Sequence, residues 1–496
     1  MKDNVLSPRR RNDAEPVLHV VPGNSLLREV RQLQQDGKPR VAADTDRFDL
    51  AALEMRHISR TPRRIKTNVT RFCVRLLAAW LLTCHVGQIL AATIPPPPVL
   101  SGGLEPSSIA IVINENDPAS IEIGLYYQER RRIPAQNIIR VRLPAGIAAL
   151  ERAVFDPVYG EVRRATPAGV QAYALAWTQP YRVGCMGITS AFAFGPEESD
   201  CATKCKMTPL NPYFDSPSSQ PWSDHQVRPA MLLAGASAAE VRALIDRGIA
   251  ADFTYPGGTG YLARTNESTR NVRAAGFANT IEILGRAFRL QQIEGELRQR
   301  DDVMAYFTGL AHVGGLESLR FLPGAVADHL TSFGGKLTDS EQMSALQWLK
   351  AGATGSYGTV AEPCNFLQKF SHPGVLLLHY LNGDTLIEAY WKSVAWPTEG
   401  VFIGEPLARP FGARVRMGRE GWALDAHSAI AGRRYVLRTK EGAEERGVIT
   451  LKQGRNLAEL PRLDREIVIE PMTNLPRRST IERWRLDYER AHGKKM

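Results

Sequence analysis

The chain has 496 residues, and 44% of them are hydrophobic, which is ordinary composition for a globular protein of two or three domains. Its net charge of +10 would be typical of a nucleic-acid-binding protein, but residues 1–92 contain 16 Lys and Arg against nine Asp and Glu. That surplus of seven leaves three positive charges for residues 93–496, so we expect no nucleic-acid partner for the body of the chain.

The first 92 residues divide into two segments. Residues 1–54 are charged and only patchily apolar, so we expect a disordered extension, or an upstream reading frame before a true start at Met55. In residues 55–92, the basic, acid-free stretch Arg56–Arg75 precedes the apolar run Leu76–Ala92, as in a signal peptide. A retained anchor is the alternative, but uninterrupted apolar sequence falls short of the ~20 residues that a span needs. We therefore expect an exported protein, periplasmic or extracellular, that meets a membrane only through an uncleaved signal.

Four cysteines follow the signal: Cys185, Cys201, Cys205 and Cys364. In an oxidising compartment the first three lie close enough in sequence to form at least one disulfide. A zinc site built from Cys201, Cys205 and His225 is the alternative, but this spacing lacks a second Cys/His pair. The sequence therefore indicates a disulfide and predicts neither a metal site nor a cofactor.

The exported part begins with a Pro-rich linker, residues 93–105, and continues with alternating strand and helix patterns. Ser108–Ile113 is a strand-length apolar run, Ala119–Arg132 has the periodicity of a helix, and Asn137–Leu143 is the next strand. Further patterns predict helices at 166–177, 239–249, 340–351 and 375–394 and strands at 231–234 and 303–307. Such βαβ units imply a parallel sheet, so residues 106–411 are expected to form an α/β domain with a mostly parallel sheet and flanking helices.

The pattern changes from Gly412 onward. Short alternating segments at 433–438, 447–451 and 465–469 are separated by turn residues, which predicts a small β-sandwich over 412–470. Residues 471–496 have the composition of a charged helical tail.

Residues 351–411 are the most distinctive stretch. Glycines at 352, 355 and 358 let a backbone or a ligand approach a strand end closely, and Glu362 follows that strand, where open α/β sheets place ligand crevices. The candidate cleft residues are Gly358, Glu362, Glu405 of the closing Gly-Glu-Pro turn, and Tyr255 and Tyr261 of a glycine-rich surface turn. Turn formation alone is the alternative explanation for these glycines and prolines.

One further charged group lies in this stretch. Asp384 and Glu388 are spaced i, i+4 and share a helix face with Lys392. This spacing is typical of an ordinary charged, solvent-facing side of a helix.

Residues 106–411 resemble a family of exported proteins, of unknown activity, in bacteria that carry the exosortase (PEP-CTERM) protein-sorting system. The motifs that carry the resemblance are Arg-Ile-Pro before Asn137, Pro323–Ala325 with Ser332-Phe333, Gly352-Ala353, Glu362-Pro363, and Gly404–Phe411. The resemblance implies an exported accessory or binding protein of envelope protein sorting or exopolysaccharide display, with an envelope protein or polysaccharide as its partner.

A more distant similarity is to the gingipain and caspase-like cysteine peptidases, which also append a β-sandwich to strand–helix units. Their catalytic His follows one central strand and their Cys follows the next. Here His312 follows the strand at 303–307, but the second position holds Ser332, and Cys364 follows a different strand. A cysteine-peptidase-like hydrolase using His312 with Cys364 or Ser332 is therefore the alternative, and a binding protein without peptidase activity is the leading hypothesis.

Overall fold

The computed structural model describes residues 97–197, 201, 203–440, 444–461 and 466–472, all of them within one compact unit, Ala92–Met496. The expectations for the extension at 1–54, the signal peptide at 55–92 and the tail at 473–496 lie outside the described residues. Among the residues that are described, no helix is long and apolar enough to cross a membrane.

The described elements are as follows. The strands are β1 (Val99–Leu100), β2 (Ile109–Asn114), β3 (Ile138–Val141), β4 (Ala149–Leu150), β5 (Ala172–Leu175), β6 (Arg182–Val183), β7 (Met186–Gly187), β8 (Ala230–Leu232), β9 (Thr259–Arg264), β10 (Arg289–Glu294), β11 (Arg300–Thr308), β12 (Leu319–His329), β13 (Gly355–Thr359), β14 (Gly400–Gly404), β15 (Arg414–Met417), β16 (Trp422–Ser428), β17 (Arg434–Thr439), β18 (Glu445–Thr450), β19 (Gly454–Glu459) and β20 (Ile467–Pro471). The helices are α1 (Pro118–Arg131), α2 (Arg152–Ala165), α3 (Ile188–Phe194), α4 (Pro221–His225), α5 (Ala238–Ala251), α6 (Phe277–Leu284), α7 (Leu346–Ala351), α8 (Pro373–Leu381) and α9 (Leu386–Ser393).

Ten strands form the central sheet, in the order β10-β9-β11-β12-β13-β14-β8-β5-β2-β3. All neighbours are parallel except β13 and β14, which pair antiparallel from Gly355 opposite Gly404 to Thr359 opposite Gly400. The sheet therefore consists of two parallel halves of opposite direction that meet at the β13–β14 pair. The expected α/β class with a mostly parallel sheet is confirmed.

The first βαβ unit shows why the chain folds this way. All six residues of β2 are buried, and alternate side chains enter two apolar clusters, one on each face of the sheet. Helix α1 begins where the Asp117 carboxylate accepts the Ala119 N–H and Pro118 occupies the first turn, and it ends at Arg132 in the left-handed conformation. Helices α1 and α5 cover one face of the sheet, and helix α2 covers the other.

Two small sheets follow the central one. The orders are β1-β20-β17-β18 and β15-β16-β19, and both sheets contribute to one apolar cluster that includes Leu424, Leu437 and Ile469. Their strands agree with the predicted segments at 433–438, 447–451 and 465–469. The linker prediction for 93–105 needs a correction, because Val99 and Leu100 pair with Val468 and Ile469 instead of forming only a spacer.

Two disulfides join the four cysteines. Cys185 bonds to Cys201, which confirms the predicted disulfide within the 185–205 segment. Cys205 bonds to Cys364, a partner 159 residues away that the sequence analysis did not assign. Two disulfides are compatible with folding in an oxidising compartment.

Candidate functional site

The reversal at β14 gives the central sheet two carboxyl edges, on opposite sides of the molecule. We name as the first edge the side where β2, β5 and β8 end, and as the second edge the side where β11, β12 and β13 end. Because ligands of open α/β sheets bind beyond the carboxyl ends of strands, each edge is a candidate site.

A cavity of about 550 Å³ lies over the first edge. Its walls come from the segments that follow three parallel strands: Asp117 and Ala119 after β2, Trp177–Gln179 after β5, and Gly235–Ala238 with Glu240 and Val241 after β8. Helix α7 contributes Leu346, Gln347 and Lys350. The volume is within the range of small-molecule pockets in proteins.

The cavity lies at the point where the strand order changes direction. Strand β2 is flanked by β3 on one side and by β5 on the other. The chain passes from β2 to β3 on one side, and the next strand that it adds to this sheet, β5, lies on the other side of β2. The loops after β2 and β5 therefore diverge and leave a crevice between them, which is where ligands of doubly wound sheets bind.

Most of the polar side chains in the cavity walls are uncharged: Thr178, Gln179, Ser237, Thr338 and Gln347, beside the charged Asp117, Glu240 and Lys350. The Thr178 hydroxyl donates to Gly235 O at 2.8 Å and accepts from Gly235 N at 3.0 Å, which joins the loops after β5 and β8. The Gln179 amide donates to Thr338 Oγ1 at 2.7 Å. Apolar side chains beside them are Ile123, Val241, Leu337 and Leu346. Hydroxyl and amide groups beside apolar surface suit an uncharged, hydroxyl-rich ligand.

The acidic residues of the cavity have structural partners. Asp117 caps helix α1 by accepting Ala119 N–H, and the Glu240 carboxylate accepts Ala236 N–H at 3.0 Å in front of helix α5. Each carboxylate lies at the positive end of a helix dipole, where it is stabilised. These two groups organise the walls of the cavity and neutralise both helix ends.

The second edge is filled by a buried charged network where β11 and β12 end. Arg273 donates to the Asp328 carboxylate and to Thr308 O, and the Ser371 hydroxyl donates to the other Asp328 oxygen. Arg273 is 5% exposed and Asp328 1%. Burial raises the pKa of Asp328, although Arg273 and Ser371 favour its charged form. The network joins four segments of the fold, those of Arg273, Thr308, Asp328 and Ser371, and holds this edge closed.

His329, the last residue of β12, also belongs to the core at this edge. Trp348 Nε1 donates to His329 Nδ1 at 2.9 Å, so His329 Nε2 carries the proton that bonds Met343 O at 3.0 Å. Burial lowers the pKa of His329 to about 3, which keeps the ring neutral. Both ring nitrogens have structural partners, so this histidine positions β12 against helix α7.

The three predicted catalytic residues are not joined by hydrogen bonds. His312 is exposed in the loop after β11, Ser332 is half-buried after β12, and within the described residues no hydrogen bond connects His312 with Ser332 or Cys364. Cys364 Sγ is bonded to Cys205, so it is not a free thiol and does not pack as a small apolar residue. The cysteines of the zinc alternative, Cys201 and Cys205, are likewise both in disulfides.

The five predicted cleft residues lie at different places in the fold. Glu362 is half-buried at the second edge, where its carboxylate accepts Cys364 N–H at 2.8 Å. Gly358 packs against a neighbouring loop, since a Cβ on it would lie 2.3 Å from Gly335 N. Glu405 follows the antiparallel strand β14 and therefore lies at the opposite edge, fully buried and bonded to the Tyr127 hydroxyl.

The two tyrosines are also apart from one another. The Tyr255 hydroxyl donates to Gly412 O at 2.7 Å and to Asp425 O at 2.8 Å, next to the small sheets. Tyr261 lies within β9 and donates to Asp302 at 2.8 Å. The five residues are therefore not brought together in one cleft.

The predicted solvent-facing charged side of the helix at 386–393 is wrong, because Glu388 and Lys392 are fully buried and Asp384 is half-buried. Lys392 donates to Asp384 at 2.5 Å, and His379 lies between Asp384 and Asp215, at 3.1 Å and 2.9 Å. Burial disfavours the charged form of His379, but hydrogen bonds to the two aspartates raise its pKa above the usual value. Glu388 is also buried and caps the same helix through Thr385.

Comparisons of the chain with protein-family models, with curated proteins and with solved structures found no match.

Proposed function

We propose that this chain is an exported binding protein of envelope protein sorting or exopolysaccharide display, with a caspase-like α/β domain and a C-terminal β-sandwich. The observation that carries the proposal is the cavity of about 550 Å³ over the first edge, at the switch point of the strand order. An envelope polysaccharide is the partner that we propose for this cavity.

The chemistry of the walls supports a polysaccharide. A sugar ring presents hydroxyls at its rim and C–H groups on its faces, so it needs neutral donors and acceptors beside apolar surface. The neutral donors and acceptors in the cavity are the side chains of Thr178, Gln179 and Thr338. The apolar surface beside them comes from Ile123 and Leu337.

Three features support the proposed architecture. His312 and Ser332 follow β11 and β12, which are neighbouring parallel strands, as the catalytic positions of caspase-like enzymes do. The two small sheets share one apolar cluster, which is the arrangement of a β-sandwich. The disulfides agree with export.

A hydrolase of the same fold is the second candidate, favoured by His312 and Ser332 on neighbouring strands. It now depends on Ser332, because the sulfur of Cys364 is bonded to Cys205. Casein hydrolysis by the intact chain, lost in Ser332→Ala with the fold retained, would support this candidate over the binding protein.

The test of the binding proposal is native electrophoresis of the intact chain in gels cast with the extracellular polysaccharide of its source bacterium. We expect polysaccharide to retard the protein. Ala236 is exposed and lines the cavity, so Ala236→Trp should fill the crevice. The variant should then need at least a tenfold higher polysaccharide concentration than the wild type for the same retardation.

The matched control is Ala239→Trp. Ala239 is equally exposed on helix α5 but does not line the cavity, so its variant should be retarded like the wild type. Retardation that survives Ala236→Trp would contradict the assignment of the cavity. No retardation at all would contradict the polysaccharide and favour an envelope protein as the partner.

A further inference from the structure

A second, smaller cavity of about 190 Å³ lies at the other end of the same half of the sheet. It opens between helices α2, α3 and α4, beside the amino ends of β5 and β8. Its walls are Tyr159, Arg163, Tyr173, Phe192, Ala193, Phe194, Trp222, Gln226 and Arg228. We name it the arginine pocket.

Arg228 is the central cation of the arginine pocket. It is 7% exposed, its Nε donates to Val170 O at 3.1 Å, and its guanidinium lies 3.5 Å from the centre of the Trp222 ring. Among the described residues no carboxylate forms an ion pair with it. Burial lowers the pKa of Arg228, which is the effect expected of a guanidinium removed from water without a counter-ion.

Arg163 adds a second positive charge to the same walls. It lies on helix α2, with its guanidinium 5.8 Å from the centre of the Tyr159 ring. Its positive charge adds to the lowering of the pKa of Arg228. Within the described part of the chain Arg163 too has no ion pair with a carboxylate. Arg228 is buried and Arg163 is exposed, so an anion that enters the pocket from solvent meets both positive charges.

Aromatic rings form the rest of the wall. Tyr173 and Phe192 are buried, Tyr159 and Trp222 are half-buried, and Phe194 is 40% exposed. Aromatic faces pack against the C–H faces of sugar rings, and guanidiniums bind carboxylates in a bidentate way. The wall therefore combines the two contacts that a ring bearing a carboxylate requires.

We propose that the arginine pocket binds a sugar acid, with its carboxylate on Arg163 and Arg228 and its ring against the aromatic wall. The cavity is smaller than the 300 Å³ or more of pockets for drug-sized ligands, which fits one ring. This inference goes beyond the proposed function, because it assigns a second site and a charged ligand. The sugar acid could be free or a unit of an acidic polysaccharide.

The test is calorimetric titration of the intact chain with sodium glucuronate, with glucose as the uncharged control. We expect glucuronate to bind and glucose to bind at least tenfold more weakly. Arg163→Gln should weaken glucuronate binding about tenfold or more, since a charge-assisted hydrogen bond contributes about 1.5 kcal/mol or more. The matched control is Arg164→Gln, an exposed neighbour on the same helix that does not line the pocket.

Several results would overturn the proposal: no glucuronate binding, equal binding of glucose, or equal effects of Arg163→Gln and Arg164→Gln. Titration with polygalacturonate distinguishes the two sources. Tighter binding of the polymer with the same dependence on Arg163 assigns the site to an acidic polysaccharide, and tighter binding of glucuronate assigns it to a free sugar acid. The Ala236→Trp variant should bind glucuronate as the wild type does. The polysaccharide proposal for the first-edge cavity and the sugar-acid proposal for the arginine pocket can therefore be refuted separately.

Discussion

Asp328 and Arg273 form the ion pair that holds the second edge closed, and both side chains are almost completely buried. A buried pair is costly to break from one side, because the remaining charge has no compensation. We therefore predict that Arg273→Met lowers the free energy of unfolding by about 3–5 kcal/mol in urea titration. Arg130→Met, which breaks the exposed pair with Asp246, should cost about 1 kcal/mol or less. Equal losses would contradict the structural role of Arg273.

His379 makes stability depend on pH in a specific direction. Despite its burial, the bonds to Asp215 and Asp384 raise its pKa above the usual 6.5, so the folded state holds this proton more tightly than the unfolded chain does. The stabilisation is therefore complete below pH 6.5 and is lost as the pH rises through the raised value. We predict that His379→Gln lowers the unfolding free energy more at pH 5.5 than at pH 8.5. A loss of equal size at both pH values would contradict this assignment.

His329 acts in the opposite sense. Its pKa falls to about 3 in the folded protein, so only the unfolded chain takes up this proton as the pH falls below 6.5. Stability from this residue is present above pH 6.5 and is lost progressively towards pH 3, by up to about 1.4 kcal/mol per pH unit. The sequence showed neither histidine as important, because what distinguishes them is burial and partners from distant segments.

At the scale of elements, the local hydrophobic pattern was sufficient to predict strands and helices that are neighbours in the sequence and pack on each other. The predicted strand, helix and strand at 108–143 correspond to β2, α1 and β3 within one or two residues at each end. The predicted helix at 166–177 is wrong, because α2 ends at Ala165 and β5 occupies Ala172–Leu175. Gln171 to Leu175 are all buried, and a fully buried strand has no alternation that separates it from a buried helix.

The glycine-rich segment 255–261 shows the same limit. It was interpreted as a surface turn, but Thr259–Arg264 is strand β9, which lies between the edge strand β10 and β11. Gly260 is the second residue of β9, and a Cβ there would lie 2.6 Å from Leu290 Cδ2 of the neighbouring strand. A glycine that allows close packing and a glycine that forms a turn look alike in a sequence.

Gly358 in β13 gives a test at this scale. Its Cβ position lies 2.3 Å from Gly335 N and 2.4 Å from Gly334 C, and both atoms are backbone that has little room to move. We predict that Gly358→Ala lowers the unfolding free energy by about 1–3 kcal/mol, as overpacking does. Gly447→Ala, in β18, meets nothing within 4 Å and should change it by about 0.5 kcal/mol or less. Similar effects of the two variants would show that the close approach at Gly358 is not present.

At the scale of the whole molecule, the reversal of β14 decides where a ligand can bind. The candidate cleft was predicted after the strand that contains Gly358, now β13, because ligand crevices follow the carboxyl ends of strands. The turn predicted at Gly404-Glu405-Pro406 is preceded by a strand that was not predicted, Gly400–Gly404, which runs antiparallel to β13. The principle was sound, but only the pairing of β14 shows that Glu362 and Glu405 lie at opposite edges. The cavity walls at 177–179 and 235–238 could not be singled out without it.

The proposed polysaccharide site is tested most directly by hydrogen exchange of the intact, disulfide-bonded chain with and without the extracellular polysaccharide of the organism that produces it. We predict slower exchange of backbone N–H groups at 177–179 and 235–238, which line the first-edge cavity, and unchanged exchange at 309–312 and 330–333 on the second edge. Protection confined to the second edge, or no protection in the first-edge cavity under conditions where the polysaccharide binds, would contradict this prediction.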